Sequence, residues 1–126
     1  MSAGSRLTAN GVMIYNAADS SGITGAINVS GNSFVVLSPP TTGTYYGISI
    51  FQDRSSTQTI TLSGGSGWNL TGTVYAAKAH AEVVGGGSSS SGSQFVLDTL
   101  TLTGNSTFND IDPSKGYAPR DVRLIE

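Results

Sequence analysis

A degenerate repeat of two alternating motifs runs along the chain and constrains its fold more than any other feature. The first motif is an apolar residue, then Ser, Thr or Gly, a small residue, Gly or Asn, and Ser; its copies begin at residues 1, 29, 62, 84 and 102. The second motif is a short strand-forming segment that usually follows a glycine; its copies occupy residues 11–15, 47–51, 72–76, 92–97 and 121–125. Because the motifs alternate strictly, we expect one repeated structural unit.

The residue types in the two motifs predict how that unit folds. Glycine and asparagine tolerate the positive φ of tight corners, and residues 59–62 and 99–102 alternate Thr with Ile or Leu, as a strand with one buried face does. We therefore predict an all-β chain, a right-handed parallel β-helix (β-solenoid) of about five short coils. Each coil would contain two strands and two turns in about 18 to 22 residues, with successive coils paired in parallel about 4.8 Å apart.

The longer intervals between motif copies are interpreted as coils with protruding loops. Residues 19–25 and 38–43 are the candidates, and Pro39 and Pro40 suit a loop because proline cannot donate a ladder hydrogen bond. Residues 75–82 contain helix-forming residues but no apolar stripe at helical spacing, so we expect a strand, a corner and a second strand there. The alternative fold is an antiparallel β-sandwich, which also has short strands and regular turns.

Size and composition limit the class of protein. The 126 residues fit one domain, so residues 1–126 are expected to be a single β-solenoid domain, and a segment of a longer chain because residues 1–5 already match the repeat. A net charge of −2 provides no basic surface for nucleic acid, and no long apolar run predicts a membrane span. Only 11% of residues are charged, and outward positions carry hydroxyl groups instead. We expect an extracellular or cell-surface location.

The predicted core follows from the alternation within the strands. Asp in place of a core residue such as Ile50 or Leu62 would bury an unpaired charge. The full set of predicted core positions is Ile14, Val29, Val35, Ile50, Leu62, Leu70, Val74, Val84, Phe95, Leu97, Leu102, Phe108 and Leu124.

Reactive groups are too few for an enzyme to be expected. His80 is the one histidine, and we interpret it as an exposed corner residue. Asp110 and Asp112 are two residues apart and form a solvated turn more readily than a metal site, and with no cysteine there is no thiolate site either, so no metal and no cofactor are expected.

A carbohydrate-binding or polysaccharide-cleaving β-helix is the alternative function. Asp110 and Asp112 would be its carboxylates, and Tyr45, Tyr46 and Trp68 would stack on sugar rings, although Trp68 is expected to lie at least partly in the core.

Glycosylation is a further expectation, from the sequence pattern Asn-x-Ser/Thr. Asn28, Asn69 and Asn105 fit that pattern, and three matches are little more than chance gives in a chain rich in Ser and Thr.

Three stretches carry a resemblance to a known family. Residues 11–16, 46–54 and 118–124 resemble the carboxy-terminal β-repeat region of bacterial TadE/TadG-like proteins, which are tight-adherence pilus-assembly proteins. The resemblance implies a part in a pilus-like surface assembly and supplies no catalytic residues.

The expected function is a structural module of a bacterial cell-surface or extracellular fibre or pilus-like assembly. A solenoid has two ends that expose unpaired backbone groups, so we expect end-to-end association through β-strand stacking. The partner would be a second copy, head to tail, or other parts of a longer chain, with surface glycans as further partners. The residues expected at the associating ends are Met1, Leu7, Val122, Leu124 and Ile125.

Overall fold

The computed structural model describes residues 4–63, 65, 67–85, 90–105 and 107–108, and this part of the chain is all-β without a helix. Within those ranges no helix could therefore cross a membrane. The strands belong to one curled parallel sheet. They are β1 (Arg6–Ala9), β2 (Ile14–Asn16), β3 (Ile27–Val29), β4 (Phe34–Leu37), β5 (Ile48–Gln52), β6 (Ile60–Ser63), β7 (Trp68–Gly85), β8 (Ser90–Gly104) and β9 (Thr107–Phe108).

The strands line up in three rows. The chain crosses the three rows repeatedly in the same order, and we call each crossing a pass. The first row contains β1, β4, the start of β7, the start of β8, and β9. The second row contains β2, β5 and the middle portions of β7 and β8. The third row contains β3, β6 and the ends of β7 and β8. Every pairing described is parallel, which contradicts the antiparallel sandwich considered as the alternative fold.

The repeat read from the sequence corresponds to these rows. In the second row Ile14, Ile50, Val74 and Phe95 are successive partners, so four copies of the second motif lie in register. In the third row the partners are Val29, Leu62, Val83 and Leu102, and all of these except Val83 are the first residues of first-motif copies. One copy is displaced: Val83, not Val84, pairs with Leu62.

The prediction of two strands in each repeat unit was wrong, because one pass contains three. The first-row strands directly follow the first motif, as β4 follows residues 29–33, and the motif pattern did not separate them. The long intervals do contain loops, since residues 17–26 and 38–47 lie between strands and the latter include both prolines. Successive third-row partners are accordingly 33, 21 and 19 residues apart, because the later passes have shorter connections.

Residues 75–82 fold as the sequence pattern predicts, as strand, corner and strand. They lie within β7, and the register of its pairing with β8 shifts between Ala76 and His80. The shift marks the corner between the second and third rows.

The inward faces of the three rows form one apolar core. Its fully or nearly fully buried members are Val35, Leu37, Ile50, Ile60, Leu62, Trp68, Leu70, Val74, Ala76, Ala79, Ala81 and Val83. Most predicted core positions are confirmed: five are buried, and Ile14, Val29, Phe95 and Leu97 pack against the core while partly exposed.

Two predicted core positions were wrong, and two lie outside the description. Val84 is only half-buried because its neighbour Val83 points inward. Leu102 is 49% exposed because no further third-row strand covers it within the described residues. The side chains of Phe108 and Leu124 lie outside the described residues.

A buried amide group closes the corner between β5 and the loop that follows it. The Gln52 side chain is fully buried, its Nε2 donates to the Gln58 carbonyl oxygen at 2.8 Å, and its Oε1 accepts from Asn16 Nδ2 at 3.1 Å. Asn16 Nδ2 also donates to the Gly25 carbonyl oxygen at 2.7 Å. The first two passes are thereby joined by side chains as well as by strands.

Replacing Gln52 by Leu is expected to lower the free energy of unfolding by about 1–3 kcal/mol, because the Gln58 carbonyl loses its buried donor. Thermal unfolding followed by circular dichroism measures this loss. Gln58→Ala is the matched control, since it removes an exposed side chain and keeps the carbonyl that Gln52 binds. Equal melting temperatures for the two variants would contradict a stabilising role for this contact.

Candidate functional site

Within the described residues the first pass has a free edge, which we call the N-terminal mouth and define as β1, β2 and β3 with the cavity behind them. The carbonyl oxygens of Ser5 and Ala9 accept hydrogen bonds from the N–H groups of Phe34 and Ser38, at 2.9 and 3.0 Å. Backbone groups of a parallel strand alternate in direction. The N–H and C=O groups of Arg6 and Thr8 therefore point away from β4, toward the free edge.

Aliphatic side chains line the inside of the N-terminal mouth. Leu7, Ile14, Ile27 and Val29 are half-buried, because within the described residues only the second pass covers them. They border a cavity of about 230 Å³, which is lined by aliphatic side chains from the first three passes together with Asn28. Leu7, predicted as a self-association residue, lies in this mouth; Met1, Val122, Leu124 and Ile125 lie outside the described residues.

The opposite end of the core also exposes apolar side chains. Leu100 and Leu102 are 43% and 49% exposed, although their third-row partners Ala81 and Val83 are buried. An inward-facing leucine is exposed here because β8 is the last third-row strand that the structure describes.

The outward face of the second row carries a stack of aromatic rings. Since Ile14, Ile50 and Val74 point inward, the residue after each points outward, and these residues are Tyr15, Phe51 and Tyr75. The Tyr15 and Phe51 rings meet edge to face with centroids 5.6 Å apart, and the Phe51 and Tyr75 rings stack at 4.9 Å. In-register pairing therefore brings one aromatic residue from each of three passes together.

Tyr45 from the loop after β4 converts this face into a groove. It is 53% exposed and, with Phe51, lines two neighbouring cavities of about 380 and 220 Å³. We call this surface the aromatic groove. Its lining residues are Met13, Tyr15, Thr44, Tyr45, Ile48, Phe51, Arg54, Thr73, Tyr75, Gln94 and Val96.

The aromatic groove carries one positive charge. The Arg54 guanidinium lies over the Tyr75 ring, 5.8 Å from its centroid, and Arg54 is the one charged residue among those lining the groove. The neighbouring Asp53 carboxylate accepts from the Ser55 hydroxyl at 2.6 Å and the Ser55 N–H at 2.9 Å. These two hydrogen bonds, the hydroxyl first, hold the pKa of Asp53 below its ordinary value. A backbone hydrogen bond from Ala18 lowers the pKa of Asp53 further, so its charge is satisfied by its own turn and by the loop after β2.

The three aromatic residues predicted to stack on sugar rings lie in different places in the structure. Trp68 is 2% exposed and belongs to the core, as expected, so it cannot stack on a sugar. Tyr46 lines a different cavity with Pro39 and Pro40. Only Tyr45 of the three lies in the aromatic groove.

The other predicted polar residues do not form a reactive cluster in the described part of the chain. His80 is half-buried at the register shift, not exposed as predicted, and its ring Nδ1 shares a hydrogen bond of 2.8 Å with the Thr99 hydroxyl. Asp110 and Asp112 lie outside the described residues. Within them, no three His, Asp or Glu side chains are grouped to hold a metal ion.

The three glycosylation candidates are all at exposed positions. Asn28 lies in β3, Asn69 in β7, and Asn105 directly follows β8. Their accessibility is compatible with modification, and their glycosylation stays a prediction.

The aromatic stack itself was missed, although the sequence contained a signal for it. Tyr15 and Phe51 each stand four residues after the glycine of their motif copy, and Tyr75 stands three after its glycine. The signal becomes interpretable only when those copies are known to pair.

No family model, curated protein or solved structure matches the chain, so its function is inferred from the two surfaces described above.

Proposed function

We propose that the chain is a right-handed β-solenoid with a structural role, a module of a bacterial cell-surface or extracellular fibre or pilus-like assembly. Its modules join end to end through parallel β-strand pairing. The observation that carries the proposal is the N-terminal mouth, where three strands in three different rows share one free edge within the described residues. Catalysis has no part in this role.

The solenoid proposal is supported by the regularity of the pairing. A chain that passes three rows in a fixed order, with parallel partners each time, can add a further pass by the same pairing. The inward side chains of all three rows already belong to one core. A right-handed path follows from the usual handedness of connections between parallel strands.

End-to-end joining is supported by the chemistry of the mouth. The edge-facing backbone groups of Arg6 and Thr8 provide donors and acceptors that have no partner in the described part of the chain, and the half-buried aliphatic residues provide apolar surface. Leu100 and Leu102 provide apolar surface toward the opposite end. A head-to-tail contact between unlike ends produces a filament when it does not close into a ring.

The surface location is proposed from composition and from the family resemblance. The low share of charged residues, 11%, and the resemblance to TadE/TadG-like β-repeat regions support it. The partner is a second copy of the chain or another part of a longer chain.

Thr8→Pro is expected to weaken self-association while the fold is retained. The Thr8 N–H points to the free edge, so proline removes a docking donor and no hydrogen bond to β4. Sedimentation velocity over a concentration series, with negative-stain microscopy, should find concentration-dependent oligomers or filaments for the natural chain and a shift toward monomer for the variant.

Thr8→Val is the matched control, because it keeps the backbone N–H and a β-branched side chain and should associate like the natural chain. A natural chain that is strictly monomeric at high concentration, without filaments, would overturn the proposal. If Thr8→Pro associated as strongly as the natural chain, the N-terminal mouth would not be part of the contact.

A further inference from the structure

The aromatic groove has properties that end-to-end association does not require. Tyr15 and Tyr45 are 57% and 53% exposed, although burial of tyrosine rings is favourable. The face lies on the outside of the second row, whereas end-to-end stacking would use the strand edges and the inward side chains, so the outward rings stay open. Its exposed rings and its charge therefore indicate a ligand-binding surface that is separate from the associating ends.

The ring arrangement divides the groove into a floor and platforms. Phe51 and Tyr75 stack on each other, so one face of each ring is covered and the pair forms the floor. Tyr15 and Tyr45 have exposed ring surface and flank that floor. The negatively charged face of an aromatic ring attracts the polarised C–H groups on the face of a sugar ring.

Polar side chains at one end of the groove define the chemistry of the ligand further. Gln94 Oε1 accepts from the Thr73 hydroxyl at 3.4 Å, which leaves the Gln94 amide NH₂ as a donor toward the groove. Arg54 adds a fixed positive charge, and the lining residues contain no carboxylate to neutralise it. A guanidinium group binds a planar carboxylate through two parallel hydrogen bonds.

We propose that the aromatic groove binds an acidic oligosaccharide. Tyr15 and Tyr45 stack on its sugar rings, Arg54 pairs with a sugar carboxylate, and Gln94 donates to a hydroxyl group. The groove follows the row from the Tyr15 position to the Val96 position, three strand spacings or about 14 Å, which is the length of a few sugar units. A repeating polymer therefore suits a groove built on a repeating scaffold, and this binding does not depend on end-to-end association.

The test is isothermal titration of the whole chain with hexuronate- and sialate-containing oligosaccharides, and with neutral oligosaccharides of the same lengths. At least one acidic oligosaccharide is expected to bind, and more tightly than its neutral counterpart. Tyr45→Ala and Arg54→Gln are each expected to weaken that binding by about tenfold or more, as the loss of a stacking ring or of a charge-assisted pair does.

Two matched controls lie outside the groove. Tyr46→Ala removes a neighbouring exposed tyrosine that lines a separate cavity, and Arg6→Gln removes an arginine that lies over the Phe34 ring at 4.7 Å. Both should leave the affinity within about twofold. The proposal is overturned if no acidic oligosaccharide binds, if the groove variants bind as the controls do, or if the neutral oligosaccharides bind equally well. Binding of a proline-rich peptide in place of every oligosaccharide would overturn it as well.

Discussion

Replacing Leu62 by Asp is expected to leave the chain unfolded. Leu62 is a buried third-row residue between Val29 and Val83, so the carboxylate would lie among aliphatic side chains without a partner. Burial of an unpaired charge, added to the loss of the leucine packing, removes about 5 kcal/mol or more. A domain of this size has only about 5–15 kcal/mol of stability in total. Far-UV circular dichroism and a thermal melt measure the outcome.

The neighbouring Ser63→Asp variant is the control, because Ser63 has the opposite facing on the same strand and is partly exposed. Its stability should stay within about 0.5 kcal/mol of the natural chain. Leu62→Ala should remain folded, with a free energy of unfolding lowered by about 2–5 kcal/mol. This loss can be measured, whereas an unfolded Asp variant gives no value. Two Asp variants of equal stability would mean that the facing of β6 is wrong.

The alternation of apolar and hydroxyl residues made much of this fold predictable. Ile60 and Leu62 each stand between hydroxyl-bearing neighbours, so their inward facing could be inferred directly from residue types. Glycines marked the corners, and a motif repeated at long range required pairing between distant segments. These signals sufficed for an all-β chain with parallel, in-register pairing.

The errors come from places where the alternation is interrupted. Between Ala76 and His80 β7 advances four residues while β8 advances two, and the buried positions of β7 change from Val74 and Ala76 to Ala81 and Val83. The motif copy that begins at residue 84 does not show this change of facing, so Val84 was predicted where Val83 is buried. Nothing in a local pattern reveals such a bulge, because it is set by how two distant passes fit on each other.

The aromatic groove could not be predicted for a related reason. Its Tyr15, Phe51 and Tyr75 are 36 and 24 residues apart in the chain, and only the register of three passes makes them neighbours. Tyr45 joins them from a loop, whose position no strand periodicity determines. Individual residues of the site were visible in the sequence, whereas their convergence was a property of the fold.

The corner between the first and second rows depends on glycine. Gly11, Gly47 and Gly72 precede the second-row strands of successive passes, with φ of 69°, 77° and 92°. A side chain is strained at such angles. At Gly72 the space is filled as well: an added Cβ would lie 2.5 Å from Ser49 Oγ, 2.7 Å from Pro39 Cγ and 2.9 Å from the Gly47 carbonyl oxygen.

Gly72→Ala is therefore expected to destabilise the chain by about 3 kcal/mol or more, combining backbone strain of about 1–2 kcal/mol with overpacking of about 1–3 kcal/mol. Two further variants separate these causes in thermal and denaturant unfolding. Gly11→Ala has the same strain with open space around the new Cβ, and should lose only about 1–2 kcal/mol. Gly92→Ala in β8 has no positive φ and only an ordinary contact, 3.9 Å from Thr71 Cγ2, so its stability should change by less than about 1 kcal/mol. The two sites share the backbone strain and differ in the crowding by Gly47 and Ser49. If Gly72→Ala lost no more stability than Gly11→Ala, the close approach of successive passes at this corner would be refuted.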